Sequence, residues 1–295
     1  MGYFTFALST LFVLVALGTL LHLQFGRTGI VNFGVVGFFG VGMYAFGILT
    51  VQYELGYWSA SLLTLLIGGL VSALVGWLIR GLSAEETLVS TLAFATILAH
   101  LVTSEKWLTN GVAGLGTLPY PFDLGRSTGD AFLGVIAIVS LLVVAYAWRV
   151  NRVAYGRLLH SIKDDEGLAQ GLGKQTARHK LVLFALTGTG MVLVGVLYGS
   201  ANQFLVPRLL TPALTFTVWI ALVLGGRNSP WGAILGVLVS AGLFDLLIEP
   251  FVRLPADYSQ LLPDMKLMLF GLILIVVIMF RPSGMIRENR EGKTA

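Results

Sequence analysis

The chain alternates long apolar runs with short polar stretches, and nine such runs follow one another along it. They are Tyr3–Phe25, Phe33–Val51, Trp58–Ile79, Thr87–Val102, Ala131–Trp148, Leu181–Ala201, Thr215–Leu224, Gly232–Ile248 and Met265–Phe280. A hydrocarbon core about 30 Å thick requires roughly 20 apolar residues per helix, and most of these runs meet or approach that length. They are continuously apolar, whereas the strands of a membrane β-barrel alternate with a period of two. The pattern predicts an all-α polytopic membrane protein with about eight to ten transmembrane helices in a single domain, residues 1–295.

The seventh run, Thr215–Leu224, is too short to cross a membrane unaided. It ends in Gly225-Gly226, which favours a broken or re-entrant helix. Backbone groups freed at such a break are tolerated at membrane depth only where protein or a water-filled cavity covers them. We therefore expect this segment to lie beside a pathway through the membrane.

A polar stretch from Asn151 to Lys180 interrupts the apolar pattern in the middle of the chain. It carries the charged residues Arg152, Arg157, Lys163, Asp164, Asp165, Glu166, Lys174, Arg178 and Lys180. Near-helical spacing of small, apolar and polar residues predicts two short helices, over Ala154–Leu159 and Glu166–Leu172, joined by an acidic turn. Gly173 follows where a helix would end in a left-handed cap. We predict that residues 150–180 form a rigid loop in water to which a soluble partner binds; a solvated connector is the alternative.

Composition and charge set the orientation that we expect. Charged residues make up 12% of the chain and apolar residues 56%, outside the usual range of soluble domains. With residues 150–180 in the cytoplasm, fourteen of the 19 lysine and arginine residues fall on that side. The positive-inside rule then predicts an external N-terminus, an external loop over residues 103–130 and a cytoplasmic C-terminus. The net charge of +4 follows from this topology and does not indicate nucleic-acid binding.

The chain lacks the residues that several kinds of chemistry require. The chain contains no cysteine, which excludes disulfides and thiolate metal sites. The sequence has neither the H-E-x-x-H motif of zinc hydrolases nor the G-x-x-x-x-G-K-[ST] loop that holds nucleotide phosphates. We expect no enzyme activity, no metal site and no cofactor in this chain.

Residues 155–166 read Tyr-Gly-Arg-Leu-Leu-His-Ser-Ile-Lys-Asp-Asp-Glu, followed by Ala169, Leu172-Gly173 and Lys180-Leu181. This order and spacing resembles the cytoplasmic coupling loop of LivM-type permeases of branched-chain amino acid ABC importers, within the LivH/LivM/ribose-type family of inner-membrane permeases. The resemblance implies that the loop seats in a groove of an ATPase subunit. It assigns to that contact Tyr155, Gly156, Arg157, Ile162, Lys163, Asp165, Glu166, Ala169, Leu172 and Gly173.

Four further segments resemble the same family, in the family's order. They are Gly29-Ile30-Val31-Asn32-Phe33-Gly34 with Phe38-Phe39, Thr109–Leu115 with Leu118-Pro119, Val223-Leu224-Gly225-Gly226 with Trp231-Gly232, and Phe280–Ile286. The chain departs from the family pattern at Val35, at Asn110 and over Arg227-Asn228-Ser229-Pro230, where pathway shape and ligand contacts would be set. The resemblance therefore indicates the fold and leaves the cargo open.

These segments supply two more sets of candidate residues. For the translocation pathway they are Asn32, Phe33, Gly34, Phe38, Gly225, Gly226 and Asp245. Asn32 stands out because an amide at a glycine-flanked break can either satisfy freed backbone groups or line the pathway. For docking of a substrate-binding protein they are Trp107, Asn110, Gly111, Gly114 and Pro119, on the surfaces Trp107–Leu124 and Gln203–Leu214.

The resemblance implies an ATP-driven importer in a bacterial or archaeal cytoplasmic membrane. The expected partners are two ATPase subunits that hold ATP and Mg²⁺, a second permease that is identical or related, a periplasmic or extracellular substrate-binding protein, and the lipid bilayer. The expected cargo is a branched-chain or another hydrophobic or neutral amino acid. Two alternatives stay open: an ABC permease for urea or short amides, and a self-contained secondary transporter or channel for a small neutral solute.

Overall fold

The computed structural model describes residues 2–227 and 229–240 and the single positions 242, 265, 268, 271, 272, 275, 279 and 285. Its helices are α1 (Tyr3–Leu21), α2 (Val35–Val51), α3 (Tyr57–Leu78), α4 (Ala84–Ser104), α5 (Lys106–Thr109), α6 (Thr128–Arg152), α7 (Ala154–Asp164), α8 (Glu166–Gly171), α9 (Thr176–Asn202), α10 (Pro212–Gly225) and α11 (Pro230–Val237). A π-helical turn, His22–Gly26, continues α1. Two short strands, β1 (Leu115–Gly116) and β2 (Phe204–Leu205), pair antiparallel.

Within the described residues, five helical spans are long and apolar enough to cross a membrane. They are Tyr3–Gly26, Tyr57–Leu78, Ala84–Ser104, Thr128–Arg152 and Thr176–Asn202. They coincide with five of the predicted apolar runs, and the predicted all-α polytopic class is confirmed. The eighth run is described only as far as residue 242. The ninth run, apart from single positions, and the candidate Asp245 lie outside the described residues.

Helices α2 and α9 form the centre of the bundle. The large side chains of α2 are fully buried: Phe38, Phe39, Met43 and Phe46. The two helices cross at a pair of glycines, since a Cβ on Gly42 would overlap the Val192 carbonyl and a Cβ on Gly195 would overlap the Phe39 carbonyl. Lipid provides little hydrophobic drive for helix association, so such close backbone approach supplies the attraction through van der Waals contact.

The second apolar run becomes helical later than its hydropathy predicts. Residues 29–34 leave the helical path, and α2 begins only at Val35. The 17 residues of α2 cover about 25 Å at 1.5 Å per residue, less than a hydrocarbon core. The freed amides have side-chain acceptors: Phe33 N donates to Thr91 Oγ1 at 3.0 Å and Val36 N to Thr215 Oγ1 at 3.1 Å. The break is therefore inside the bundle and is satisfied by protein, as membrane depth requires.

The seventh run forms α10, a helix of 14 residues that ends at the glycine pair as predicted. Gly226 has φ +115°, which lets the chain reverse into α11. Helices α10 and α11 approach through their backbones, because a Cβ on Gly232 would overlap the Gly226 carbonyl and a Cβ on Gly236 would overlap the Ala221 carbonyl. They form a tight helical hairpin beside α1.

The bundle has two distinct ends. Helices α7 and α8 lie between the end of α6 and the start of α9, and we call this the coupling end. Strands β1 and β2 lie at the opposite end of the same helices, which we call the ladder end. The start of α1 is at the ladder end, where Thr5 Oγ1 donates to Asp130 Oδ1 in the first turn of α6 at 2.8 Å.

Candidate functional site

Helix α7 lies against the bundle through one apolar face. Gly156, Leu159 and Ile162, three residues apart, are buried on this face. The Leu159 side chain joins a cluster that draws on α6, α9 and the end of α1: Leu23, Ala147, Val150 and Leu183. A Cβ on Gly156 would overlap the Val150 carbonyl, so glycine permits the close contact between α7 and α6. The helix is thus held by three neighbours.

Helix α8 is fixed at both ends and on one side. Asp165 Oδ1 accepts from Leu168 N at 2.8 Å and caps the N-terminus. Lys180 Nζ donates to Glu166 Oε2 at 2.6 Å and ties α8 to α9. At the C-terminus Gly173 has φ +76°, and the amides of Gly173 and Lys174 donate to carbonyls of the preceding turn. This is a Schellman cap, and the predicted left-handed role of Gly173 is confirmed.

The residues assigned to an ATPase contact do not share one surface. Three are buried, three are partly buried and four are exposed. In that order they are Gly156, Ile162 and Ala169; Tyr155, Lys163 and Glu166; and Arg157, Asp165, Leu172 and Gly173. Burial raises the pKa of the Tyr155 phenol, whose hydroxyl donates to the His179 carbonyl at 3.3 Å.

An apolar pair is exposed at α8, and of its two members the sequence analysis had assigned Leu172 to the ATPase contact and missed Leu168. Leu168 is 63% exposed and Leu172 is 72% exposed. Their spacing of four residues places them on one face of the helical turn, and this spacing is the signal that could have found Leu168. The two leucines form a small apolar strip on an otherwise polar segment.

Lys163 connects α7 to the π-helical turn at the end of α1. Its Nζ donates to the Gly26 carbonyl at 2.9 Å. Carbonyls at a helix end lack partners within the helix, so an ammonium there satisfies one of them and adds a charge-assisted bond. The contact makes the position of α7 depend on the position of the π turn.

A buried polar network extends from the π turn to three other elements. Gln24 Nε2 donates to Thr187 Oγ1 on α9 at 2.7 Å, and Asn32 Nδ2 donates to Gln24 Oε1 at 2.8 Å. Trp219 Nε1 on α10 donates to the Asn32 carbonyl at 2.9 Å. Asn32 Oδ1 also accepts from Gly34 N at 2.7 Å. Of the two roles expected for Asn32, the structure shows the first, satisfaction of backbone groups at the break.

His22 joins the π turn to the link between α10 and α11. Its Nδ1 lies 3.0 Å from the Arg227 carbonyl, which can only accept, so Nδ1 carries the proton. Nε2 is then the acceptor for Asn151 Nδ2 at 3.4 Å. Nearby, a Cβ on Gly26 would overlap the same Arg227 carbonyl. The His22 imidazole therefore connects the ends of α1, α6 and α10 by hydrogen bonds.

The described candidates for the translocation pathway pack in the core around the break. Phe38 lies between Phe94 and Phe184, with ring centroids 4.9 and 5.5 Å apart. Phe33 stacks on Trp219 with centroids 4.8 Å apart. Gly34 lies against Thr91 of α4, while Gly225 and Gly226 form the turn between α10 and α11. Their role in transport stays a prediction.

A groove of about 240 Å³ lies between α2, α4 and the start of α10; we call it the α4 groove. Aliphatic side chains and three polar residues line it: Val36, Leu92, Ala95, Thr96, Ala99, His100, Thr103, Leu210 and Pro212. Thr96, His100 and Thr103 share one face of α4, and their spacing of four and three residues is visible in the sequence. The sequence analysis assigned none of these three residues to a site.

The ladder joins the two surfaces predicted to receive a binding protein. Leu115 pairs with Leu205, which brings the segment after α4 against the segment after α9. Gly114 has φ +79°, and a Cβ there would overlap the Leu205 carbonyl, so glycine is required at this contact. Asn110 Nδ2 donates to the Gly114 carbonyl at 3.2 Å and stabilises the turn.

The candidates for docking divide into exposed and supporting residues. Trp107 is 74% exposed, and Asn110 is also exposed. Gly111 and Gly114 are buried, and Pro119 is partly buried. Gln52 Nε2 donates to the Trp107 backbone carbonyl at 3.3 Å, and the exposed indole itself donates from Nε1 to Glu105 Oε2 at 2.8 Å. We call the surface around Trp107, Val112 and Phe204 the ladder face.

One serine fits the spacing of a hydrolase motif. Gly125 to Gly129 read Gly-Arg-Ser-Thr-Gly, which matches G-x-S-x-G. Ser127 lies in a 3₁₀ turn before α6, and its hydroxyl donates to the Leu124 carbonyl at 3.2 Å. The strand–turn–helix context of a nucleophile elbow is absent at this position. Among the described residues, no group of three or more histidine and carboxylate side chains could hold a metal ion.

A bundle of apolar spans, with a satisfied break before its central helix and a braced polar hairpin at one end, defines a polytopic all-α membrane protein. Residues 3–278 match the family described as "Branched-chain amino acid transport system / permease component". The chain belongs to this family, and the resemblance drawn from its motifs is confirmed.

Individual relatives agree with this assignment. The chain is 27% identical over 303 residues to the high-affinity branched-chain amino acid transport system permease protein LivM of Salmonella typhimurium, covering 94% of this chain and 68% of that protein. It is 23% identical to the probable LivM of Methanocaldococcus jannaschii, covering 91% and 89%. It is also 30% identical over 223 residues to the autoinducer 2 import system permease protein LsrC of Shigella flexneri, covering 74% of this chain and 60% of that protein.

Proposed function

We propose that this permease is the membrane subunit of an ATP-driven importer and that ATPase subunits act on it through α7 and α8. The observation that carries the proposal is the bracing of this helix pair by an apolar face, an N-cap, a Schellman cap and the bond between Lys180 and Glu166. A segment that transmits force must move as one body. Leu168 and Leu172 offer it an apolar contact with a soluble partner.

The route from α7 to the centre of the bundle runs through the π turn. Movement of α7 acts on the Gly26 carbonyl through Lys163. The polar network then connects the turn to the break before α2 and to Trp219 on α10. In this mechanism ATP-driven motion at the coupling end changes how α2 and α10 are packed, and access to the pathway switches between the two sides.

The charge pattern supports a cytoplasmic coupling end and an external ladder end. A substrate-binding protein would then dock on the ladder face, where the exposed Trp107 suits a contact hot spot. Two ATPase subunits bind ATP and Mg²⁺ on the cytoplasmic side. A second permease, identical or related, completes the pathway at its interface with this chain, in a bacterial or archaeal cytoplasmic membrane.

The cargo that we propose is a branched-chain or another hydrophobic or neutral amino acid. The α4 groove supports it, because its lining is mostly aliphatic and has a few hydroxyl and imidazole groups for orientation. The names of the LivM relatives support the same class. The second candidate cargo is autoinducer 2, which the name of LsrC gives for that protein. The observation in its favour is the 30% identity of this chain to LsrC.

The test is transport by the complex that this chain forms in its native membrane. Affinity purification in mild detergent, followed by reconstitution in vesicles, allows uptake of labelled leucine, autoinducer 2 and urea to be compared with and without ATP. We expect ATP-dependent leucine uptake that Leu168→Asp with Leu172→Asp abolishes. Tyr53→Asp, at an exposed aromatic residue of the ladder end outside both proposed docking surfaces, should leave uptake intact. Uptake without ATP, or ATPase binding that survives both aspartates, would overturn the proposal.

A further inference from the structure

Two adjoining cavities at the coupling end form one cleft between the α3–α4 turn, α8 and the start of α9. Their volumes are about 520 and 450 Å³. Four residues line both cavities: Arg80, Gln170, Ala177 and Leu181. We call this combined space the basic cleft.

The charge of the basic cleft is strongly unbalanced among the residues that the structure describes. Five cations line it, Arg80, Lys163, Lys174, Arg178 and Lys180, against one carboxylate, Glu166. That carboxylate already lies 2.6 Å from Lys180 Nζ. A cleft lined by one sign of charge with low-dielectric walls concentrates ions of the opposite sign. Its chemistry therefore suits an anion.

The position of the basic cleft suits a group at the membrane surface. Arg80 lies over the Trp77 ring, 5.5 Å from its centroid, and tryptophan side chains mark the level of lipid headgroups. Leu74 and Leu78 are exposed on the same end of α3, directly before this arginine. A lipid whose chains lie along these leucines would bring its phosphate to Arg80.

The basic cleft lies on the side of α8 away from Leu168 and Leu172, the two leucines proposed for ATPase contact. Glu166 and Gln170 of α8 line the cleft. Successive residues of a helix are rotated by about 100°, so Leu168 and Leu172 point to the opposite side of α8. Both surfaces can be occupied at the same time.

We propose that the basic cleft binds a phosphate group, supplied by the headgroup of an anionic phospholipid or by a soluble phosphate compound. Arg80 and Arg178 provide cationic hydrogen-bond donors, and guanidinium groups match phosphate geometry. The Gln170 amide and the Ser83 hydroxyl supply neutral donors on the same lining. Basic pockets between membrane helices at the cytoplasmic surface are suited to anionic headgroups.

The experiment is native mass spectrometry of the purified permease titrated with phosphatidylglycerol or phosphatidylcholine. The variant Arg80→Gln with Arg178→Gln removes two cations from the cleft. The matched control Arg149→Gln with Arg152→Gln removes two exposed cations from the end of α6, outside the cleft lining. All the substituted arginines are exposed, and size-exclusion chromatography checks folding. Inorganic phosphate and glycerol 3-phosphate serve as soluble competitors.

We expect wild type and control to prefer phosphatidylglycerol. The cleft variant should bind it about thirty-fold more weakly, because each of the two lost cations contributes about fivefold to the affinity. Competition by glycerol 3-phosphate at similar concentration would support the phosphate site and assign it a soluble source. Lack of preference for phosphatidylglycerol over phosphatidylcholine in wild type, together with no binding of soluble phosphate, would overturn the proposal. Equal loss in the cleft variant and the control would do the same.

Discussion

The hydrogen bond between Lys163 Nζ and the Gly26 carbonyl, 2.9 Å long, gives a direct test of coupling through the π turn. Lys163→Met keeps the length and the apolar stem of the side chain and removes the ammonium. The buried face of α7, formed by Gly156, Leu159 and Ile162, is untouched. The variant should therefore fold and insert normally, while the π turn loses its charge-assisted hydrogen bond to α7 and keeps the apolar contact between Leu23 and Leu159.

The size of the effect follows from the chemistry of this contact. Hydrogen bonds to charged groups contribute about 1.5–3 kcal/mol, and Lys163 is partly rather than fully buried, which favours the lower end. Since about 1.4 kcal/mol corresponds to a tenfold change, the cargo transported per ATP hydrolysed should fall roughly tenfold. Hydrolysis itself should continue, because the ATPase contact on α8 is retained.

The assay is parallel measurement of uptake and ATP hydrolysis in vesicles that contain the reconstituted complex. Lys163→Arg, which keeps a cationic donor, should recover part of the ratio. Arg152→Met, which removes an exposed cation stacked 3.7 Å from the Trp148 ring centroid, is the matched control. A ratio of uptake to hydrolysis that is the same in Lys163→Met and Arg152→Met, with both proteins equally stable to heat, would refute transmission through the π turn.

Two further outcomes are expected. Gly195→Leu should lower the thermal unfolding midpoint, because its side chain would overlap the Phe39 carbonyl and overpacking costs about 1–3 kcal/mol or more; Gly134→Leu, where a Cβ meets open space, should be neutral. Trp107→Ala should weaken binding of the substrate-binding protein about thirty-fold, as loss of a hot-spot residue worth about 2 kcal/mol predicts, measured by surface plasmon resonance. Trp58→Ala, at an equally exposed tryptophan of 73%, should leave that affinity unchanged.

Local features of this protein were predictable from the sequence because they depend on neighbouring residues. The apolar runs located the five long spans, and the polar stretch located α7 and α8. The position of Gly173 predicted its left-handed cap. Each of these signals lies within one helix or at its end, where periodicity and capping rules apply.

The polar network was not predictable in the same way. The glycines around Asn32 indicated a break there, and the chain leaves the helix over residues 29–34, but hydropathy does not show which groups satisfy the freed amides. The partners in the network are far apart in the chain: Gln24 and Thr187 are separated by 163 positions, and Asn32 and Trp219 by 187. A single sequence gives no signal for such pairs, because any buried amide or indole can be satisfied by many partners.

In the mechanism that we propose, the placement of the break provides a route from the coupling end to the pathway. Two interruptions of helix, at residues 29–34 and at Gly226, are both bonded to the π turn, the first through Asn32 and Gln24 and the second through His22 and the Arg227 carbonyl. A close-packed interior cannot deform continuously, so elements joined there shift together or not at all. Gly26 leaves no free space beside Arg227, as the overlap of an added Cβ shows. In the proposed mechanism, displacement of Lys163 therefore either breaks its hydrogen bond to the Gly26 carbonyl or moves the α10–α11 hairpin together with the π turn. The second outcome keeps the hydrogen bonds of the buried polar network intact.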